Sequence, residues 1–340
     1  MKTRGYLLFM AFLFFVLVLS FFFGLFSGPV ALSPGAVREA LAFVFSGRGD
    51  DTPALILFSI RLPRLILAIA VGASLALSGA AFQGFFRNSL ADPFVIGASA
   101  GAALGAALAM TWGPAPGAFP LVQLSAFTGA LGAVFLAFAV SRSAGSPPPA
   151  AALLLAGSGI GAFFSALLSL VMVVKDRSLT RVYYWLLGSL GGSSWKGLLP
   201  SLPVMAAGCA IIALTARPLD LMIQGDQTAE SLGVDVKKTR LFIALGASLA
   251  SAAAVAQAGI IGFVGLVAPH CVRLVAGPSH RRLFPASALS GAILVLLSDS
   301  IARNAMPPME LPLGIITSLA GAPFFLFLLV KYGRKLGNFP

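Results

Sequence analysis

The sequence predicts an all-α polytopic membrane protein of about ten transmembrane helices, part of it arranged as an inverted repeat. Three observations carry the prediction. Of 340 residues, 58% are hydrophobic and only 10% charged, with a mean hydropathy of +0.96. Soluble domains carry about 25% charged residues, so this chain has too few charges to cover a wet surface. Apolar runs of bilayer length recur from end to end, separated by short polar turns. Finally, Gly72-Ala73-Ser74-Leu75-Ala76 recurs as Gly246-Ala247-Ser248-Leu249-Ala250, and a glutamine follows each glycine by eleven residues, Gln83 and Gln257, at one offset of 174. The matching runs are the second and seventh, which must cross in opposite directions. Spans 2–5 and 7–10 therefore read as inverted copies.

The first run, 6–27, follows Met1-Lys2-Thr3-Arg4 and resembles a secretory signal. Its apolar stretch is too long and no clean small-residue cleavage site follows, so it is read as the first span. Between it and the second span, 33–51 holds a short surface helix starting after Ser33-Pro34, since proline suits a first helical turn. The second span, 63–86, is the clearest. It opens on Arg61-Leu62-Pro63-Arg64 and carries no charge over the 22 residues from Leu65 to Phe86, about 33 Å of helix. The polar turn Arg87-Asn88-Ser89-Leu90-Ala91-Asp92-Pro93 returns the chain into the third span, 94–111. Spans four to six are 119–140, 150–174 and 195–215, with short links at 113–117 and 141–149. Spans seven to ten are 240–259, 261–276, 283–303 and 312–331. The eighth is short and contains Pro269, and a proline-rich link, 305–311, precedes the tenth. Residues 1–340 make one transmembrane domain, and its longest intracellular loop is 216–239.

The net charge of +12 does not indicate nucleic acid, because the basic residues sit singly or in pairs between apolar runs. They fit a cytoplasmic bias. With both termini inside, nine of the 23 basic residues fall outside, namely Arg38, Arg48, Arg61, Arg64, Lys175, Arg177, Arg181, Lys196 and Arg303, and fourteen fall inside. Arg61, Arg64 and Arg303 stand out, tight against span ends on the disfavoured side.

No catalytic constellation is visible. There is no G-x-x-x-x-G-K-[ST] loop, no metal-ligand cluster and no nucleophile beside a base, so neither cofactor nor enzyme activity is expected. Cys209 and Cys271 lie inside apolar runs as small core residues. His270 and His280 are isolated and read as satisfied polar groups or loop residues. Asp299 is a carboxylate within an apolar run, where acids are functional candidates, but Arg303 lies four residues on and a local ion pair near the surface is simpler. Gly97, Ala98, Ser99, Ala100, Gly101 and Gly105 in span three, and Gly157, Ser158, Gly159 and Gly161 in span five, allow close helix packing. The span-five group is also a candidate for gating motion. In the loop, Asp226 is placed to cap a short helix that Gly233 stops. Such a helix is either a plain connection or a lever for a soluble partner.

Arg61-Leu62-Pro63-Arg64, the run Gly72…Ser78-Gly79…Gln83, the turn Arg87–Pro93 with Gly97 beyond it, and Gly225–Val236 resemble the FecCD-type permeases. So do Gly262-Phe263-Val264-Gly265-Leu266-Val267-Ala268-Pro269-His270, Gly277-Pro278-Ser279-His280-Arg281-Arg282 and Asp299…Arg303. These permeases are membrane subunits of binding-protein-dependent ABC importers for ferric siderophores, haem and cobalamin. The resemblance runs in order from about residue 55 to 330, with serine at 89 where the family often has proline.

The resemblance implies the type II importer fold, ten helices per subunit, in a bacterial or archaeal cytoplasmic membrane. It implies a dimer, with a second copy or a paralogue, working with two cytoplasmic ATPase subunits and a periplasmic or lipid-anchored substrate-binding protein. Arg61, Arg64 and Arg303 would pair with glutamates of the binding protein. Gly225, Asp226, Thr228, Ala229, Glu230, Leu232 and Gly233 would form the helix that rests in the ATPase. Gly157, Ser158, Gly159 and Gly161 would lie near the pathway at the dimer axis. An iron chelate (ferric siderophore or haem) is the expected cargo, with cobalamin the alternative. A stand-alone ion-coupled carrier would need more buried acids than this chain has. A membrane enzyme would need paired acids or a metal cluster.

Overall fold

The computed structural model describes residues 3–30, 32–46, 51–113, 121–145, 150–174 and 179–336. Lys2, Arg48, Lys175 and Arg177 of the charge pattern lie outside them. The described residues form α1 (Thr3–Phe26), α2 (Pro34–Ser46), α3 (Asp51–Ala54), a π-helical turn (Leu55–Arg61), α4 (Leu62–Phe85), α5 (Ala98–Trp112) and α6 (Leu121–Ser141). A 3₁₀ turn (Arg142–Ala144) precedes α7 (Ala150–Val174), α8 (Leu179–Leu186), α9 (Trp195–Leu214), α10 (Ala216–Met222) and α11 (Asp226–Ser231). The chain ends with α12 (Val236–Ala258), α13 (Val264–Ala276), α14 (His280–Asn304) and α15 (Leu313–Leu336).

Among the described residues, seven helices are long and apolar enough to cross a membrane, and three shorter apolar helices, Ala98–Trp112, Val264–Ala276 and Leu313–Phe327, fall where spans three, eight and ten are expected. Local chemistry sets several starts. Pro63 opens α4. The Ser33 hydroxyl accepts from the Ala36 N–H before α2, Ser194 accepts from Gly197 at α9, and Asp235 accepts from Lys238 at α12. Each satisfies one amide that the helix cannot.

The structure adds elements that the hydropathy pattern hides. The second span is preceded by the π-helical turn, α8 lies between the fifth and sixth spans, and the 216–239 loop contains α10 as well as α11. These pieces are six to eight residues long, too short for a periodic signal.

α4, α12 and α14 are mostly buried, whereas α1 and α7 are mostly exposed. Glycine makes this centre possible. A Cβ on Gly72 would stand 2.3 Å from the Gly291 carbonyl oxygen of α14, and one on Gly79 would stand 1.9 Å from that of Gly265 in α13. The backbones touch there, the close approach that membrane helices use to gain packing contacts. α4 and α12 run antiparallel. Leu65–Ala76 shares a core with Ala253–Ala258, Leu77–Phe85 with Ile243–Ala256, and the Ser78 hydroxyl donates to the Ala247 carbonyl at 3.0 Å. Opposite directions are what the repeat requires of its two copies.

Candidate functional site

Arg61, Arg64 and Arg303 converge where α4 begins and α14 ends. Arg61 donates to the Leu25 carbonyl in the last turn of α1 and to the Val30 carbonyl beyond it. Arg64 Nε donates to both Asp299 oxygens at 3.0 and 3.2 Å, with Nη2 2.9 Å from Oδ1, and Nη1 lies 2.9 Å from Glu310 Oε2. Arg303 Nε is 3.1 Å from Asp299 Oδ2, an ion pair not aligned as a hydrogen bond. Its other nitrogens donate to the Ser27 and Gly24 carbonyls at 3.2 and 3.1 Å. Carbonyls at a helix C-terminus carry partial negative charge, so two guanidiniums there complete the end of α1.

The three arginines are 5%, 7% and 4% exposed. The structure brings them together, but inside the protein and bonded to its own oxygens, not as free cations on a surface. The Asp299–Arg303 pair expected near the surface is buried, and Arg64 joins it. Asp299 itself is fully buried. Glu310, on the link after α14, is a partner that sequence reasoning missed.

The opposite end of α4 meets the 216–235 segment. Leu219 and Met222 of α10 are buried, which turns Asp220 toward the start of α14. Its carboxylate accepts from Ser279 Oγ at 2.9 Å and from the His280 N–H at 2.7 Å, and lies 2.7 Å from His280 Nδ1. Burial pushes the Asp220 carboxyl up, but the hydrogen bonds from His280 and Ser279 outweigh it and hold the group below the usual carboxylate range. The carboxylate also faces the positive end of α14. His280 is buried at 1% exposure, edge-on to Phe284 at 5.1 Å between centroids. A Cβ on Gly84 would lie 2.6 Å from its Nε2, so α4 needs glycine there.

Gly225, at φ 129°, precedes α11 and makes no side-chain cap. Asp226, expected to cap the helix, instead turns its carboxylate away: Oδ1 is 2.6 Å from Arg87 and Oδ2 2.5 Å from Arg240. Ala229 is buried against Met222 and Val236. Thr228, Glu230, Leu232 and Gly233 are exposed, Leu232 at 59%. Gly233, at φ 85°, ends the helix as the sequence predicts, with its N–H bonded to Glu230 and that of Val234 to Ala229. The coupling candidates thus divide into Ala229, which is buried, Asp226, which is half-exposed but turned toward Arg87 and Arg240, and an outward face.

The adjoining 87–97 turn is held by its own side chains. Asn88 accepts from the Leu90 N–H at 2.9 Å and Asp92 from Phe94 at 2.8 Å. Burial pushes the Asp92 carboxyl up to about 6, against the opposing Phe94 bond. Beyond the turn, a Cβ on Gly157 would stand 2.6 Å from Ile96 Cα and one on Gly161 3.7 Å from Gly97 Cα, while Gly159 faces open space. Ser158 is exposed and bonds only within its own helix, to Leu155. The span-five group therefore splits: Gly157 and Gly161 pack on the turn into α5, and Ser158 and Gly159 face away. α7 also exposes Leu155 and Val173 at 74% and 79%.

The family model described as the FecCD transport family matches residues 16–331. The chain belongs to the FecCD transport family. It is 46% identical over 280 residues to the cobalamin import system permease of Halobacterium salinarum, covering 82% of this chain and 74% of that one. It is 37% identical to the iron(3+)-hydroxamate import system permease of Bacillus subtilis, covering 97% and 98%. It is 38% identical to the hemin transport system permease of Yersinia pestis, covering 87% and 90%. Its fold matches a solved metal-chelate type ABC transporter in an inward-facing conformation, with TM-score 0.83, 32% identity and 95% and 98% coverage. The FecCD chain is a multi-pass membrane permease of the ABC importer class and not an enzyme. Its class implies an ATPase and a substrate-binding partner.

Proposed function

We propose that this chain is the membrane permease of an ATP-driven, binding-protein-dependent importer for a large metal chelate. Match to the FecCD model over residues 16–331 carries the reading. The exposed face of α11 supports it, because Thr228, Glu230 and Leu232 stand clear of the bundle on a helix that its inward residues hold in place. We assign that face to one of two ATPase subunits. The opposite end, around Glu310 and the buried arginines, is assigned to the binding protein. Arg61, Arg64 and Arg303 reach a partner's glutamates only by exchanging their present oxygens, which makes docking depend on rearrangement at that end. The apolar face of α7 is assigned to a second permease copy, with the pathway beside Ser158 and Gly159. Both termini then lie in the cytoplasm, and the membrane is a bacterial or archaeal cytoplasmic one.

For cargo, iron chelates and haem fit the hydroxamate and hemin permeases. A second reading, cobalamin, is favoured by the higher identity, 46%, to the Halobacterium salinarum cobalamin permease, and is the first to test. The complete importer in proteoliposomes, offered cobalamin, haem, ferric hydroxamate and ferric citrate in turn, should accumulate one of these and leave the others outside. Uptake of none of the four by an assembly that hydrolyses ATP would refute the cargo class.

A further inference from the structure

α11 spans six residues, too few to be stable by itself, so its position must come from contacts outside it. Ala229 supplies its buried apolar contact. Asp226 supplies the rest in an unusual manner. As the first residue of α11 it sits where an acid normally serves its own helix. Here each carboxylate oxygen goes to a different element, Oδ1 to Arg87 just past α4 and Oδ2 to Arg240 in the first turns of α12.

The Arg87 side of this contact has its own signature. The Arg87 N–H bonds to the Gly84 carbonyl and the Asn88 N–H to that of Gln83, a double closure that ends α4 with one residue in the left-handed region. That residue is Arg87, at φ 50°. Glycine takes this slot without steric cost, and a long side chain does not. The strained arginine aims its guanidinium at the Met222 carbonyl, 2.5 Å away, and at Asp226. A charged residue held where glycine is favoured is a contact the chain keeps for its side chain. The same segment has a second fixing six residues before Asp226, where Asp220 holds Ser279 and His280 at the head of α14.

We infer that Asp226 is a positioning residue that locks α11 to the ends of α4 and α12, so that the three move as one body when the ATPase moves the outward face of α11. The inference rests on the importer reading and deepens it. It removes Asp226 from the ATPase contact surface and gives it the task of passing displacement into the helices whose far ends hold Arg64 and, through α14, Asp299.

The test uses the complete importer in lipid nanodiscs, with Cys209 and Cys271 replaced by serine and spin labels at Ser89→Cys and Ser231→Cys. Electron–electron distances are measured without nucleotide and with a non-hydrolysable ATP analogue, with labelled permease diluted into excess unlabelled permease so that both spins of a pair lie in one copy. The clamp predicts one narrow distance that does not shift between the two states. Asp226→Asn should give a nucleotide-dependent shift and a broader distribution, and Arg87→Gln should do the same. Asp226→Glu should restore the narrow, unshifted distance. A merely structural contact would broaden both nucleotide states equally, which overturns the inference. So does a nucleotide-dependent shift in the parent, or an Asp226→Asn protein that stays narrow and unshifted. If no ATPase subunit assembles with the unlabelled parent, the importer reading falls, and this inference with it.

Discussion

Replacing Asp299 by asparagine should be among the most damaging single changes in this chain. Its carboxylate is fully buried and lies 2.9 Å from Arg64 Nη2 and 3.1 Å from Arg303 Nε. Neutralising it leaves two nearly buried guanidiniums facing one another. Removing one partner of a buried pair costs about 3–5 kcal/mol, because the remaining charge is uncompensated. Arg303 retains the Ser27 and Gly24 carbonyls and Arg64 retains Glu310, which places the loss near the lower end, about 3 kcal/mol. Glu310→Gln is the internal control. That side chain is 36% exposed, and an exposed pair contributes about 0–1 kcal/mol. Denaturant unfolding of the purified permease in mild detergent measures both. A ratio of threefold or more between the two losses is predicted. Equal losses, or an Asp299→Asn protein as stable as the parent, would refute the view that this cluster holds α1, α4 and α14 together.

Further outcomes follow from particular contacts. Asp92→Asn should stabilise the protein at pH 8, because a carboxyl raised from 3.8 to about 6 binds its proton more tightly folded than unfolded. Stability in the parent then falls as pH rises from about 4 to 6, by up to about 3 kcal/mol, and pH-dependent melting of parent and variant should differ in that window. Gly79→Val should be overpacked and cost at least about 1–3 kcal/mol, since even a Cβ meets the Gly265 carbonyl at 1.9 Å; wild-type expression and melting would contradict the packing. Leu155→Cys, on the exposed face of α7, should cross-link between two permease copies in the membrane, and failure to do so with a short reagent would remove α7 from the dimer axis. Glu230→Arg on the outward face of α11 should reduce co-purification of the ATPase subunit several-fold, and unchanged recovery would argue against that face as its seat.

The helical plan was legible because long apolar runs and a repeated motif are local signals. Arg61, Arg64 and Arg303 were legible as anomalies for the same reason: charge against a span end is visible in one dimension. Their burial was not, because the compensating oxygens come from Gly24, Leu25, Ser27, Val30 and Glu310, which the sequence pattern does not pair with them. Asp226 showed the converse error. Its spacing fits a cap, and only the fold reveals that two arginines, 139 residues before and 14 after it, outbid the helix for its oxygens. For His280 the sequence left open a partnered polar group or a loop residue, and Asp220, with the room left at Gly84, makes it the first. α8 and α10 escaped notice because two turns of helix carry too little periodicity to stand out from a loop.

On the proposed reading, nucleotide hydrolysis in a partner drives cargo through this permease. Uptake into proteoliposomes holding the permease, its ATPase and its binding protein, with ionophores present to collapse every ion gradient, tests it most directly. Accumulation that persists with ionophores and stops when ATP is replaced by a non-hydrolysable analogue is the predicted result. Accumulation that survives the analogue but stops with the ionophores would contradict it.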